Sequence, residues 1–287
     1  MTPSTPLRVA AAQAASVSGD VPTNVTTAVS LVESATKGGA EVVVLPELFL
    51  TGYDPASWGR SAEAVVTVDD GRLRPISDAA RTCSAVVVAG AAVRRGGGPR
   101  QRSTPGVSTG SVTVSLLVFD SAGDVSAPYD KQHLFDAERE FFDSGDHGAS
   151  IVVHGWELGL GICYDGCFPE HAAAAAADGA MAYLCPSAYY RGSEHRRDLY
   201  YAARALDNGI YVVFSGLTGR CGDYDFNGGS AIYDPEGRQV DRVADESPAV
   251  AFADLDPEEV GRAQKLNPIG RDRLADLGSR HHQVLSH

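Results

Sequence analysis

The sequence predicts an α/β protein built from sheets covered by helices. Short apolar runs, often β-branched, recur along the 287 residues; Val42-Val43-Val44 and Val86-Val87-Val88 are examples. Continuous runs of this kind suit strands buried on both faces. Longer stretches of helical character lie between several of them, and alternation of the two places a chain in the α/β class. No Pro/Ser-rich linker divides the chain, and its length is near the upper size for one hydrophobic core. One domain over 1–287 is therefore expected, with a core over about 7–260 and a tail over 261–287.

In chain order, strands are expected over 7–13, 41–45, 85–91, 112–119, 158–163, 181–185, 210–215, 229–234 and 249–254. Helices are expected over 21–37, 73–82, 169–178 and 194–208. The alternation in Val112-Thr113-Val114-Ser115-Leu116 suits a strand with one wetter side. The alanines at 172–177 read as a close-packed helix. The Gly/Arg-rich stretch 94–106 has nothing to pack and reads as a mobile surface loop, either a lid or, as the favoured reading, a loop without a function.

Composition excludes several function classes. A net charge of −13 argues against nucleic acid, because phosphate contacts need a basic face. No apolar run is long enough to span a membrane. Residues 1–6 lack the basic-then-apolar layout of a secretion signal, so a cytoplasmic location is expected. The five cysteines are odd in number and scattered. Cys163 and Cys167 alone, with no second cluster beside them, make a poor zinc site, and no metal is expected.

The most informative stretch runs from Leu160 to Glu170. An apolar run ends on Cys163, and Pro169-Glu170 then start a helix. A thiol at a strand-to-helix turn is held by rigid elements and faces backbone N–H groups. The nucleophile elbow of serine hydrolases uses the same device on another scaffold.

Two other segments extend that reading: Leu45-Pro46-Glu47-Leu48-Phe49-Leu50-Thr51-Gly52-Tyr53-Asp54, and Tyr129-Asp130-Lys131-Gln132-His133-Leu134-Phe135. Together with Cys163-Tyr164-Asp165-Gly166-Cys167-Phe168-Pro169-Glu170 they resemble the nitrilase superfamily of carbon–nitrogen hydrolases, marked by a Glu…Lys…Cys triad in that order. The resemblance covers almost the whole chain. It implies a four-layer α-β-β-α sandwich of two six-stranded sheets, and a homodimer or larger homo-oligomer formed across the helical layer.

By the same resemblance Glu47 is the general base. Its proline fixes the backbone before it, and Leu45, Leu48 and Phe49 supply the apolar setting that raises a carboxylate's proton affinity. Lys131 would stabilise the oxyanion, with the Tyr164 backbone N–H as second donor. Glu138 would hold the lysine and the substrate amide, with Glu140 as rival for that role. Ser144 departs from the usual proline there, and Cys167 stands where an arginine is common. Cys167 reads as space-filling. Tyr53, Ser187, Tyr189 and Tyr190 are the expected substrate-binding residues, His133 is expected to pack or bond beside Lys131, and His195 reads as solvated.

The implied reaction is hydrolysis of a small linear amide through a Cys163 thioester, without metal or organic cofactor. C-Y-D resembles the amidase and carbamoylase branches rather than true nitrilases. The alternatives are an N-carbamoyl substrate, then a nitrile, then an inactive scaffold of the same fold.

Overall fold

The computed structural model describes residues 3–60, 62–96, 111–274 and 276–285. Two six-stranded sheets carry the fold. The first has the order β14-β1-β2-β3-β4-β5, with β1 Leu7–Gln13, β2 Val42–Val44, β3 Val86–Arg94, β4 Val112–Phe119, β5 Val125–Asp130 and β14 Ala249–Leu255. The second has the order β13-β12-β9-β8-β7-β6, with β6 Ser150–Val153, β7 Trp156–Leu160, β8 Ala182–Ser187, β9 Tyr211–Gly216, β12 Ala231–Tyr233 and β13 Gln239–Arg242. A hairpin, β10 Thr218–Cys221 with β11 Tyr224–Asn227, stands apart from both. Each sheet has a parallel centre, β1-β2-β3 and β7-β8-β9, with antiparallel flanks.

The sheets lie face to face, with β1 against β9. The helices α1 Val21–Lys37 and α2 Arg74–Cys83 cover the first sheet, and α4 Pro169–Ala177 and α5 Glu194–Asn208 cover the second. The short α3 Glu138–Phe141 lies among the loops at the strand ends. This is the α-β-β-α sandwich, and the period of two along the strands builds it. On β8, Ala182 and Leu184 join the core between the sheets, whereas Tyr183 and Cys185 face the helices. β9 repeats the pattern, with Tyr211 and Val213 inward and Val212 and Phe214 outward. Ser215 Oγ donates to Ala12 O across the sheets at 2.6 Å, satisfying a polar group the sandwich buries.

Three strand expectations need correction. The strand expected over 158–163 ends at Leu160, since Ile162 N–H is taken by a side chain and Cys163 has φ +47°, which no strand accommodates. The one expected to end at 185 continues to Ser187 through Pro186. Proline is tolerated there because β7 pairs β8 only as far as Leu184 and needs no donor beyond it. β3 runs on to Arg94, the first residue of the expected loop, and Arg95 pairs with Asp130. Residues 97–106 of that loop lie outside the described residues. The expected boundary at 260 falls inside α6 Pro257–Leu266, which is followed by α7 Ile269–Asp272. Among the described residues no helix is long and apolar enough to cross a membrane.

Candidate active site

Glu47 leaves the end of β2 after Leu45-Pro46, in a turn where Leu48 has φ +49°. The turn packs directly on Gly90 of β3. A Cβ at that position would lie 2.5 Å from Leu48 N and 2.6 Å from Pro46 O, so the strand approaches only because it carries glycine. Lys131 directly follows the last residue of β5, and its N–H donates to Val114 O at 2.8 Å. The preceding Asp130 is fixed by Thr113 and Ser115 hydroxyls (2.9 and 2.6 Å) and by Arg95. Glu138 heads α3.

These three side chains are fully buried and meet. Lys131 Nζ donates to Glu47 Oε1 at 2.5 Å and to both oxygens of Glu138 at 2.8 Å. Glu138 is held in turn by Tyr53 Oη (2.7 Å) and Phe135 N–H (2.8 Å). Glu140, its rival, is exposed. Burial would depress the ammonium, but Glu138 and then Glu47 outweigh it and hold Lys131 well above the ordinary lysine range. Burial pushes the Glu47 carboxyl up to about 7; Lys131 opposes this and the Glu138 charge adds to it. The Cys163 thiol faces Glu47 closely enough to lower its proton affinity slightly, while Oε2 has no partner in hydrogen-bond geometry.

Cys163 begins a 3₁₀ turn, Cys163–Cys167, between β7 and α4. Its left-handed backbone is costly for a residue with a Cβ, by about 1–3 kcal/mol. Two side chains hold it. Asp165 Oδ2 accepts from Ile162 N–H at 3.0 Å, and Tyr201 Oη donates to Cys163 O at 3.2 Å. Burial, followed by the Glu47 charge, drives the Cys163 thiol well above its usual range, against the pull of Lys131. The sulphur is therefore a thiol at rest, and ionising it requires a base. Tyr164 N–H opens the turn, where the first amides have no acceptor within the helix.

The expected substrate-binding residues fall into two groups. Tyr53 is buried among Trp58, Tyr190 and Phe226, and Tyr190 stacks on Tyr224 with ring centres 5.2 Å apart. Ser187 and Tyr189 bond around the turn that carries Cys163. Ser187 Oγ lies 3.0 Å from Cys185 O and 2.8 Å from Tyr201 Oη, while Tyr189 Oη lies 3.4 Å from both Tyr201 Oη and Cys167 Sγ. Cys167, the last residue of the turn, is half-buried against Tyr189. His195 is exposed, as expected.

Sequence reasoning gave no role to Asp165, Tyr129, His171 or Tyr201. Asp165 was visible inside the C-Y-D motif, but its partners come from distant elements. Its carboxylate is fully buried and accepts from Tyr129 Oη (2.7 Å), His133 N–H (2.9 Å) and His133 Nδ1 (2.8 Å) as well as Ile162 N–H. Burial pushes Asp165 up, and His133, His171, Tyr129 and Lys131 together hold it below the ordinary carboxylate range. His133, Asp165 and His171 place three ligand-type atoms within 4.8 Å, and hydrogen bonds engage each of them. Beside this cluster a cavity of about 540 Å³ opens between His133, Arg139, Tyr164 and Phe168.

The sequence profile of carbon–nitrogen hydrolases matches residues 8–265. A deaminated glutathione amidase from Escherichia coli O157:H7 is 33% identical over 85% of this chain and 88% of its own length. The human omega-amidase is 28% identical, covering 88% and 90%. Among solved structures, an amidase from Nesterenkonia sp. AN1 superposes with a TM-score of 0.78 at 27% identity, over 94% of this chain and 97% of that one. A variant of the same amidase carries the acetamide moiety of fluoroacetamide on its active-site cysteine; it superposes with a TM-score of 0.76 at 27% identity, over 96% and 97%. The chain belongs to the carbon–nitrogen hydrolases of the nitrilase superfamily.

Proposed function

We propose that this protein hydrolyses a small linear amide to its acid and ammonia or an amine, with Cys163 as nucleophile. The observation that carries the reading is one buried ammonium, Lys131, bridging two buried carboxylates beside a strained cysteine. Glu47 takes the thiol proton as sulphur bonds to the carbonyl carbon. Lys131 and Tyr164 N–H hold the oxyanion. The intermediate collapses as Glu47 returns the proton to the leaving nitrogen, and a thioester remains. Glu47 then takes a proton from water, hydroxide adds to the thioester, and the acid departs as the thiol is re-formed.

Glu138 fixes the lysine and its charge keeps Glu47 basic. Tyr53 and Tyr190 form the substrate wall, while Ser187 and Tyr189 steady the turn. The amidase names of the relatives and the cysteine adduct in a solved one support amide chemistry. Exposed Leu199 and Leu206 on α5 support a homodimer through the helical layer, and five free thiols suit the reducing cytoplasm.

The test is ammonia release from a panel of small amides, N-carbamoyl compounds and nitriles, with Cys163→Ala as control. Amide turnover that vanishes in the variant is expected. Carbon dioxide released along with the ammonia would reassign the substrate to the carbamoyl class. Turnover that persists in Cys163→Ala would sink the reading.

A further inference from the structure

We infer that Asp165 is a positioning residue that joins the two halves of the active site, holding the nucleophile turn and the lysine segment to one carboxylate. The inference rests on the roles proposed for Cys163 and Lys131 and adds a residue that touches neither the substrate nor the reacting atoms.

The donors to Asp165 come from both segments, three from the lysine side and one from the cysteine side. Tyr129 and His133 stand two residues before and after Lys131, and they supply Tyr129 Oη at 2.7 Å, His133 N–H at 2.9 Å and His133 Nδ1 at 2.8 Å. Ile162, immediately before Cys163, supplies its N–H at 3.0 Å. Asp165 N–H returns to Ile162 O at 3.0 Å, closing the turn on itself. The carboxylate therefore fixes the residue that enters the strained cysteine and both flanks of the lysine. Lys131 comes from the first sheet and Cys163 from the second, so no strand ladder sets their separation. A buried side-chain network is what remains to set it.

The rest of that network orders the protons. Tyr129 O–H is spent on Asp165, so its oxygen accepts from His171 Nε2–H at 2.8 Å, and His171 Nδ1 then accepts from Tyr183 O–H at 2.9 Å. Tyr183 is at the far end and bonds neither catalytic segment, which makes it an internal control.

Asp165→Asn separates the two halves. An amide offers one acceptor oxygen, and whichever way it turns, either His133 or the Ile162 and Tyr129 pair loses its acceptor. Displacements of about 1 Å at a reacting centre cost about 10²-fold in rate. The expected result is a kcat lowered about 10²-fold with KM within threefold, and an equal slowing of Cys163 alkylation by iodoacetamide, followed by mass spectrometry. Tyr183→Phe is expected to lower Tm while leaving kcat within threefold.

A folded Asp165→Asn that keeps kcat within threefold, or that raises KM alone, overturns the inference. So does a Tyr183→Phe that loses as much kcat as Asp165→Asn. If Asp165→Asn does not fold, Tyr129→Phe decides, with a loss of about tenfold in kcat expected and an unchanged kcat overturning the proposal. A wild-type protein inactive on every amide would instead mark the failure of the proposed function, which these variants do not mimic.

Discussion

The two sheets bring different liabilities to the same site. From the first come Glu47 and Lys131, at the ends of β2 and β5, and Glu138 on α3 follows close behind in the chain. Their cost is desolvation, and it is offset by pairing each charge with another. The second sheet sends Cys163 from the end of β7. Its cost is backbone conformation, offset by hydrogen bonds to the atoms on either side of it. A charge cluster is held by its own attraction, whereas a strained turn has to be held from outside. Cys163 therefore depends on hydrogen bonds to the backbone around it, from Asp165 and Tyr201, whereas Glu47 depends on an ion pair.

That contrast can be broken in order of size. Cys163→Ala is expected to reduce amide turnover to background while leaving Tm within a few degrees, because it removes one thiol and leaves both Lys131 ion pairs in place. Stable ammonia production in that variant would end the comparison. Lys131→Met should lose at least about 10²–10³-fold in kcat, as removal of an oxyanion donor does. It should also cost about 3–5 kcal/mol in a denaturant titration, since two buried carboxylates lose their counter-ion. A variant equal to wild type in stability would show that the cluster is not held by its charges.

Smaller changes sharpen it. Gly90→Ala drives a methyl into the backbone of the Glu47 turn, and a destabilisation of about 1–3 kcal/mol is expected, together with a fall in kcat. Finally, in the proposed mechanism Glu47 must be ionised to accept the thiol proton, and its carboxyl is raised to about 7, so kcat/KM should rise as pH increases through about 7 and be lost below it. Glu138→Gln removes a charge that raises Glu47 and should move this acid limb to lower pH. A limb that stays in place, or moves up, contradicts the assignment of the base.

Much of this was legible in the sequence, for identifiable reasons. The helices at Val21–Lys37 and Glu194–Asn208 and the strands at Leu7–Gln13 and Val112–Phe119 match their expected bounds, because burial writes an apolar pattern directly into the chain. The strands at Val125–Asp130, Ser150–Val153, Thr218–Cys221 and Tyr224–Asn227 gave no such signal. They lie at sheet edges or in the hairpin and mix exposed polar residues with few buried ones. In the site, Glu47, Lys131 and Cys163 stand in local motifs and could be named individually. The support of Cys163 by Tyr201, and the link from Asp165 to Tyr129, join residues far apart in the chain, and single motifs do not encode such pairings. Ser187 illustrates the limit: the family resemblance put it among the expected substrate-binding residues, and its hydroxyl turns inward to Tyr201.

The reluctance of the Cys163 sulphur to ionise has a consequence for chemoselectivity. General oxidants and alkylators draw on a standing population of thiolate, and here that population is small. Under the proposed mechanism, reactivity is expected only when an electrophile seats itself so that Glu47 can receive the proton during attack. Compounds that mimic a bound amide should thus label this one cysteine ahead of the four others in the chain, including Cys83 and Cys167, which are no more deeply buried by class.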